Sequence, residues 1–330
     1  MIKFDKKRLD KIIRYGRKQK IIVFGDLMVD QYLWGNVSRI SPEAPVPVIN
    51  IASEQIRFGG AANVSFNLMG LGSTPLLIGM VGEDRMGNNF LQMMEENNLP
   101  TSGIIKVKDR PTTVKTRIIG NDQHIARVDQ EITSYISLKE QEKLFKIFLE
   151  NIDEVEAILI QDYNKGVVAP QLIHHVIELA VRHGKMVTVD PKFDNFFEFK
   201  NVTLFKPNLA ETEKALALKI KDDNDLIFAG QQLIQRLNSE AVLITRGAKG
   251  MALFEKKGDY SFVETKARNI ADVSGAGDTV IATLTFTLCG GGSIREAVTL
   301  SSYAAGLVCE EVGVVPIKLP ILLKAVLNDQ

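Results

Sequence analysis

The segment from Ala157 to Val189 contains two short apolar runs, Ala157-Ile-Leu-Ile160 and Met186-Val-Thr-Val189, separated by a segment of helical period at 170–183. Continuous β-rich runs of this length are typical of strands covered on both faces, because the apolar–polar alternation disappears when neither face meets water. A strand, a helix and a second strand in this order predict a parallel pair joined by a crossover helix. The segment therefore predicts an α/β fold.

The same alternation continues toward both ends of the chain. Further strands are predicted at Ile21–Phe24, Leu76–Val81 and Val242–Thr245. Further helices are predicted near 63–71, 86–97, 138–151, 209–217, 224–237, 276–289 and 294–310. We therefore expect a mostly parallel sheet flanked by helices.

Two stretches depart from this pattern, 36–58 and 110–130. The second alternates as Val114-Lys-Thr-Arg-Ile-Ile119, turns at Gly120-Asn-Asp122 and returns as His124–Asp129, which is a hairpin pattern. We interpret both stretches as one small projecting β-sheet, either a lid over a pocket or a surface that pairs with a second copy. The α/β core then comprises residues 1–35, 59–109 and 131–330.

Composition excludes several classes of function. The chain has 330 residues, with 40 Lys plus Arg and 40 Asp plus Glu, so no overall positive field favours nucleic acid. The basic first twenty residues lack the apolar stretch of a secretory signal, and no apolar run approaches the ~18 residues of a membrane span. Two cysteines do not make a disulfide framework. We expect a cytoplasmic protein.

The motif Asp272-Val-Ser-Gly-Ala-Gly-Asp278 carries the strongest chemical signal. Gly275, Ala276 and Gly277 offer backbone N–H groups at the start of a predicted helix, where the free donors and the helix dipole favour an anion. Asp278 follows in the first turn and can accept a proton from an attacking hydroxyl. Together these features suit phosphoryl transfer. Taken alone, a motif of this kind is more often a capped turn than a catalytic site.

A second motif, Gly59-Gly-Ala-Ala-Asn63, supports the functional interpretation. Gly59 and Gly60 allow a ligand to approach the backbone closely, and Asn63 can donate to and accept from sugar hydroxyls. The P-loop run Gly-x4-Gly-Lys-Ser/Thr and the dinucleotide fingerprint are both absent from the sequence, as are the Gly-x-Ser-x-Gly elbow and metal-type Cys/His spacing.

With both motifs at this spacing, the chain resembles the ribokinase-like (pfkB) carbohydrate kinases over residues 20–320. One departure is Thr283, where the second signature usually has Ala or Gly. The resemblance implies ATP and Mg²⁺ as cofactors, Asp278 as the base, and Gly275–Gly277 as the anion hole. It also implies that Asp30 binds sugar hydroxyls, that Asn208 reaches phosphate and that Glu211 orders magnesium-bound water; Asn208 to Glu211 is equally a capping box. In several relatives the position of Asp272 helps to hold a monovalent cation such as K⁺. Residues expected near ATP by the same resemblance are Lys192, Thr245, Gly247 and Gly250.

Within that family the sequence is most similar to the heptose 7-phosphate kinases of lipopolysaccharide-precursor synthesis. The similar stretches are Gly25–Asp30 with Tyr32 and Trp34, Ser38–Pro47, Thr113–Asp129 and Asp162-Tyr-Asn-Lys-Gly166. The implied reaction converts D-glycero-D-manno-heptose 7-phosphate to the 1,7-bisphosphate. We expect Lys115, Arg117, Asp162 and Lys165 to contact this substrate, although each cation is equally consistent with a solvated surface.

Two alternatives stay open at this stage. The substrate can be fructose 6-phosphate, ribose or a nucleoside, and the protein can be a non-catalytic sugar-binding relative. In the bacterial pathway such a kinase is often fused to a nucleotidyltransferase domain, and the sequence does not distinguish a separate kinase from the kinase half of a fusion. We further expect a homodimer that pairs through the small sheet.

Overall fold

A computed structural model describes residues 2–121, 123–267 and 271–329. Its helices are α1 Lys6–Gly16, α2 Ala61–Leu71, α3 Arg85–Glu96, α4 Leu138–Asn151, α5 Pro170–Arg182, α6 Leu209–Leu216, α7 Asp223–Leu237, α8 Ala276–Cys289, α9 Ile294–Cys309 and α10 Leu319–Asn328. Its strands are β1 Lys20–Gly25, β2 Leu27–Ile40, β3 Pro47–Gly60, β4 Thr74–Gly82, β5 Ile104–Val107, β6 Val114–Gly120, β7 Gln123–Gln130, β8 Ala157–Gln161, β9 Met186–Asp190, β10 Leu204–Phe205, β11 Ala241–Thr245, β12 Met251–Glu255 and β13 Tyr260–Val263.

The large sheet has the strand order β13-β12-β11-β10-β9-β8-β1-β4-β5 within the described residues. Its strands pair in parallel from β5 to β11, and β12 and β13 extend the edge in antiparallel fashion. The predicted unit β8–α5–β9 is present, with Ala157 opposite Met186 in parallel register. The expected α/β fold is confirmed.

Helices bury both faces of this sheet. On β1, Ile21 and Val23 belong to one apolar cluster, whereas Ile22 and Phe24 belong to the other. All four side chains are essentially inaccessible to solvent. Each such side chain contributes about 1.5–3 kcal/mol when it is removed from water. A rigid sheet core thus supports the loops that follow the carboxyl ends of its strands.

A second sheet, formed by β2, β3, β6 and β7, has the order β3-β2-β6-β7. Two antiparallel pairs, β2–β3 and β6–β7, are joined by the parallel pair β2–β6. Its strands reach closer to the core than the interval 36–58 predicts, because β2 starts at Leu27 and β3 ends at Gly60. The first residues of β2 and the last residues of β3 are buried on both faces, so they show no apolar–polar alternation that would mark them as strands of a small exposed sheet. Asp122, a predicted turn residue, lies outside the described residues.

Other expectations can be compared directly with the structure. The predicted helices at 276–289 and 294–310 are present as α8 and α9, but α10 follows them and was not predicted. Thr283 is buried in α8, and its hydroxyl has no hydrogen-bond partner among the described atoms. Cys289 and Cys309 are buried free thiols. Among the described residues, the helices are too short or too polar to cross a membrane.

Candidate active site

The turn before α8 has the geometry of an anion site. Gly275 adopts a left-handed conformation, with φ of 79°, and a Cβ there would lie 3.0 Å from Asn63 Nδ2. The Ala276 N–H donates back to the Val273 carbonyl at 3.3 Å, and the first intrahelical bond joins the Thr279 N–H to Gly275 at 3.0 Å. The Gly277 N–H precedes the first intrahelical hydrogen bond and can therefore donate to a ligand. The Ala276 N–H, also a predicted donor, is used to close the turn.

Asp278 lies in the first turn of α8 and is buried. Its Oδ2 accepts from Asn63 Nδ2 at 2.7 Å, and its Oδ1 accepts from the Tyr163 hydroxyl at 2.8 Å and from Gln161 Nε2 at 3.1 Å. Burial raises the pKa of Asp278 to about 7; the Asn63 and Tyr163 hydrogen bonds oppose that rise and the Asp190 carboxylate adds to it. A carboxylate with this pKa can both accept and release a proton near neutral pH.

A buried ion pair lies beside the same helix end. Lys206 Nζ is 3.0 Å from Asp190 Oδ2, and the Lys206 side chain is 3% exposed. Gln161 Nε2 connects Asp190 to Asp278, at 3.1 Å from each carboxylate. A Cβ on Gly277 would lie 3.7 Å from Lys206 Nζ. The anion site thus combines a backbone donor, a helix N-terminus and an ammonium group.

A cavity of about 440 Å³ opens in front of this helix end. Ala276, Gly277, Tyr163 and Lys206 form part of its wall. Six residues predicted from the sequence to lie near ATP also line it: Lys192, Asn208, Glu211, Thr245, Gly247 and Gly250. Residues separated by more than 80 positions in the chain therefore meet around one space, which is large enough for a small-molecule ligand.

The Asn208–Glu211 element is a full capping box of α6. The Asn208 side chain accepts from the Glu211 N–H at 2.8 Å, and Glu211 Oε2 accepts from the Asn208 N–H at 2.9 Å. Glu211 Oε1 is paired with Lys192. No group of three or more His, Cys, Asp or Glu side chains that could hold a metal is found in the part of the chain that the structure describes. Glu211 is thus a single carboxylate on the cavity wall whose two oxygens already have partners, and its interaction with magnesium-bound water stays a prediction.

Asp272 organises the turn from the other side. Its Oδ1 accepts from the Ser274 N–H at 2.9 Å and its Oδ2 from the Gly313 N–H at 3.0 Å. Burial opposes ionisation, but these backbone hydrogen bonds prevail and lower the pKa of Asp272. Arg57 donates to the carbonyls of Val312 and Val314, at 3.2 and 3.1 Å. Because both Asp272 oxygens accept from backbone N–H groups and these two carbonyls accept from Arg57, a monovalent cation at Asp272 stays a prediction.

The predicted acceptor residues meet where β2 and β3 join the core. A Cβ on Gly59 would lie 2.5 Å from Asp30 Oδ2, and a Cβ on Gly60 would lie 2.5 Å from the Asp26 carbonyl. Asp30 is buried and pairs with Arg117 across the strands. Burial raises the pKa of Asp30, and Arg117 opposes that rise. Asn63, in the first turn of α2, connects this region to Asp278.

The other predicted acceptor residues already have partners within the protein. Lys115 pairs with Asp129 and Glu131, and Lys165 pairs with Glu131 as well. The Asp162 carboxylate accepts from the Asn164 N–H at 2.8 Å and from Asn195 Nδ2 at 3.2 Å, so it holds its own loop in place. Its role as a substrate ligand stays a prediction.

Four site residues were missed by sequence reasoning, namely Asp26, Gln161, Tyr163 and Lys206. Asp26 is fully buried, and its carboxylate accepts from the N–H groups of Tyr163, Lys165 and Val167 at 2.8, 3.0 and 3.0 Å. It thereby fixes the loop that delivers the Tyr163 hydroxyl to Asp278. Lys206 and Tyr163 each lie within a motif that the sequence did highlight, but neither was assigned a role there.

Comparison with known proteins agrees with this geometry. The model of the pfkB family carbohydrate kinases matches residues 18–321. The chain belongs to the pfkB family. It is accordingly an ATP-dependent carbohydrate kinase, and the two motifs that predicted the family meet where Asn63 of the first donates to Asp278 of the second.

Two bacterial proteins illustrate the similarity of this chain to curated relatives. The chain is 41% identical over 295 residues to the bifunctional protein HldE of Helicobacter pylori strain HPAG1, covering 89% of this chain and 64% of that protein. It is 37% identical over 309 residues to the bifunctional protein HldE of Geobacter sulfurreducens, covering 94% of this chain and 63% of that protein. The chain thus spans somewhat less than two thirds of the length of these relatives.

Solved structures show the same fold at low sequence identity. Phosphofructokinase-2 from Escherichia coli, in complex with potassium, has a TM-score of 0.76 and 17% identity, with 94% of this chain and 98% of that chain covered. Ribokinase from Arabidopsis thaliana, complexed with ribose and ATP, has a TM-score of 0.76 and 18% identity, with 94% and 99% covered.

Proposed function

We propose that this kinase transfers the γ-phosphoryl group of ATP to the anomeric hydroxyl of D-glycero-D-manno-heptose 7-phosphate and forms the 1,7-bisphosphate. The observation that carries the proposal is the position of Asp278. It is a buried carboxylate with a pKa near 7 in the first turn of α8, the helix whose N-terminus lines the cavity, and it accepts a hydrogen bond from Asn63 on the acceptor side. The HldE relatives and the Asp162–Gly166 element favour a heptose phosphate as the acceptor.

On the nucleotide side, the side chains that line the cavity hold and orient ATP. Lys192 and Lys206 supply positive charge near the phosphates, and the Gly277 N–H with the α8 N-terminus stabilises the charge of the transferred group. Magnesium, when bound with the nucleotide, neutralises phosphate charge. The role of Glu211 is to orient the water shell of that ion.

On the acceptor side, Asp278 accepts the proton of the attacking hydroxyl as the new O–P bond forms. Asn63, Gln161 and Tyr163 fix the carboxylate orientation, so that one oxygen lone pair faces the acceptor. Asp30 binds a sugar hydroxyl, and its pairing with Arg117 keeps its position defined in the absence of sugar. A monovalent cation near Asp272, when bound, would add positive charge beside the turn that forms the anion hole.

The experiment that tests the substrate is a panel of acceptors with ATP and magnesium. We expect kcat/KM for heptose 7-phosphate to exceed that for fructose 6-phosphate and ribose by at least about 100-fold, the discrimination available from one or two charged contacts. A preference for ribose or fructose 6-phosphate would contradict the heptose assignment and leave the kinase assignment intact. Absence of transfer to every sugar tested would contradict catalysis.

We also propose that the second sheet pairs with that of another copy. Several apolar side chains are exposed on its strands, among them Ile51 at 49% and Val128 at 57%. Exposed apolar groups on a sheet with open edges favour association. Light scattering at micromolar concentration is expected to give twice the monomer mass, and Val128→Lys to shift the protein toward monomer. A monomer for the unmodified chain would contradict this proposal.

A further inference from the structure

One carboxylate between the second sheet and the core holds two lysines. Glu131 Oε2 is 3.1 Å from Lys115 Nζ on β6, and Glu131 Oε1 is 2.9 Å from Lys165 Nζ in the loop after β8. The side chains of Lys115, Lys165 and Glu131 are 16%, 12% and 24% exposed. The ordinary surface pair Lys20–Glu154, in contrast, is 53% and 63% exposed. The cluster is therefore largely removed from solvent.

The two lysines lie on the acceptor side of the active site. Lys115 is the parallel partner of Asp30 in the register of β2 and β6. Lys165 follows two residues after Tyr163, whose hydroxyl donates to Asp278. The backbone of both Tyr163 and Lys165 is fixed by the buried carboxylate of Asp26. A sugar whose reacting hydroxyl meets Asp278 and whose other hydroxyls meet Asp30 is thus bordered by both ammonium groups.

The charges of the cluster do not balance. Arg127 and Lys115 share Asp129, at 2.9 and 3.0 Å, while Lys115 and Lys165 share Glu131. Among these five side chains, three cations are matched by two carboxylates, so the cluster carries one net positive charge; the buried Asp26 and Asp30 carboxylates also attract Lys165 and Lys115, respectively. A phosphate monoester carries a charge between about −1.5 and −2 at pH 7 and offers three acceptor oxygens. It satisfies this cluster better than a single carboxylate does.

We propose that Lys115 and Lys165 bind the phosphate group of the acceptor, and that Glu131 occupies their shared position until a phosphorylated sugar replaces it. This inference rests on the proposed function, because it takes the acceptor to be a sugar phosphate. The exchange is one anion for another, with no bond made or broken. Because Lys115 belongs to the second sheet and Lys165 to the core, a bound phosphate bridges the two. Phosphorylated acceptors are thereby selected over the same sugars without phosphate.

The test measures acceptor binding without ATP by calorimetry, and inhibition of the kinase by inorganic phosphate. For Glu131→Gln, heptose 7-phosphate and inorganic phosphate should both bind about 3- to 10-fold more tightly, because the competing internal anion is removed. For Lys165→Met and Lys115→Met, heptose 7-phosphate should bind about 10- to 100-fold more weakly, the usual effect of losing one charged hydrogen bond. Binding of the unphosphorylated heptose should stay unchanged in both lysine variants.

Glu154→Gln is the matched control, since Glu154 pairs with Lys20, an exposed lysine at the start of β1. This variant should bind the acceptor with the affinity of the unmodified protein. Weaker phosphate binding in Glu131→Gln would overturn the proposal, since Glu131 would then support the site. Equal losses for phosphorylated and unphosphorylated sugar in Lys165→Met would overturn it too. If the lysine variants fail to fold in a thermal melt, Glu131→Gln and Lys165→Arg, which keeps the charge and should retain most of the affinity, decide the question.

Failure of this inference can be distinguished from failure of the proposed function. If the unmodified kinase prefers another sugar phosphate, the variants are compared on that substrate. Loss of its phosphate preference in Lys165→Met then supports the inference, although the heptose assignment falls. If the kinase turns over only unphosphorylated sugars, the inference is overturned and the kinase activity still stands.

Discussion

The nucleotide side of the site surrounds an open cavity and combines glycine turns with two ion pairs, Lys206–Asp190 and Lys192–Glu211, whereas the acceptor side is formed by charged side chains that are paired on the second sheet. Around the cavity, Gly247, Gly250 and Gly277 present main chain to the ligand. On the second sheet, Asp30, Lys115 and Arg117 are held in ion pairs within the protein. The difference indicates that the nucleotide site exists before binding, while the acceptor site forms when a ligand exchanges with internal partners.

The largest expected effect comes from the one carboxylate that serves both sides. Asp278→Asn keeps the size of the side chain and removes the proton acceptor. We expect kcat to fall by about 10²–10⁴-fold, the range for loss of a general base, while the affinity for ATP changes little. Steady-state kinetics and nucleotide titration check both values. Asp153→Asn, at an exposed carboxylate, is the control, and near-normal turnover in Asp278→Asn would remove the basis of the mechanism.

Lys206→Met breaks the nucleotide side by removing its buried ammonium group. Because that charge lies beside the α8 N-terminus, we expect kcat to fall by about 10²–10³-fold, comparable to loss of one preorganised donor. The melting temperature should fall as well, since Asp190 stays buried without its cation. Lys256→Met, at an exposed lysine paired with Glu240, serves as the control. A change confined to acceptor KM would argue against contact between Lys206 and the phosphates.

Asp30→Asn breaks the acceptor side alone. The variant loses an acceptor for sugar hydroxyls and leaves Arg117 without its partner. We expect the KM for the sugar to rise by about 10- to 100-fold, with the KM for ATP unchanged. Initial-rate kinetics at varied concentrations of each substrate measures the two constants separately. Equal changes in both constants would show that the two sides are not independent.

Tyr163→Phe tests, through the pH dependence of kcat, how the Tyr163 hydroxyl affects the pKa of Asp278. Since burial raises the pKa of Asp278 to about 7, and the base must be ionised, kcat should decline as the pH falls through that value. Removing the Tyr163 hydroxyl removes a donor that stabilises the ionised form, so the acidic limb should move to higher pH by about one unit. Tyr135→Phe, whose hydroxyl bonds to Asn195 instead, should leave the limb in place. An unchanged limb in Tyr163→Phe would limit Tyr163 to a packing role.

Sequence reasoning predicted those features of the site that depend on the backbone within a short motif. The turn Gly275–Asp278 and the Asn208–Glu211 capping box both follow from residues within seven positions of each other. The predicted strands of the large sheet are present as β1, β4, β8, β9 and β11, whereas β5, β12 and β13 were not predicted. Strand β10 contains only Leu204–Phe205 and is too short to show a pattern. Helix α10 was missed because its start has no side-chain N-cap and no acidic residue in the first turn. Pro320 marks its start.

Sequence reasoning missed site residues whose contacts are with residues distant in the chain. The Tyr163 hydroxyl reaches Asp278 across 115 positions, and the Asp26 carboxylate reaches Val167 across 141 positions. No local pattern marks either contact. The cations Lys115 and Lys165 were predicted as ligands, yet the acid that pairs them, Glu131, follows the predicted hairpin and was not considered. Their internal pairing depends on how the second sheet lies against the core.

Asp26 has a thermodynamic consequence for the whole chain. It is the single residue between β1 of the large sheet and β2 of the second sheet, and its side chain also holds the 163–167 loop through three N–H groups. Separating the second sheet from the core would expose these donors and leave a buried carboxylate without them, at a cost of several kcal/mol. The two sheets should therefore melt as one cooperative unit, and calorimetry of this chain is expected to record a single unfolding transition.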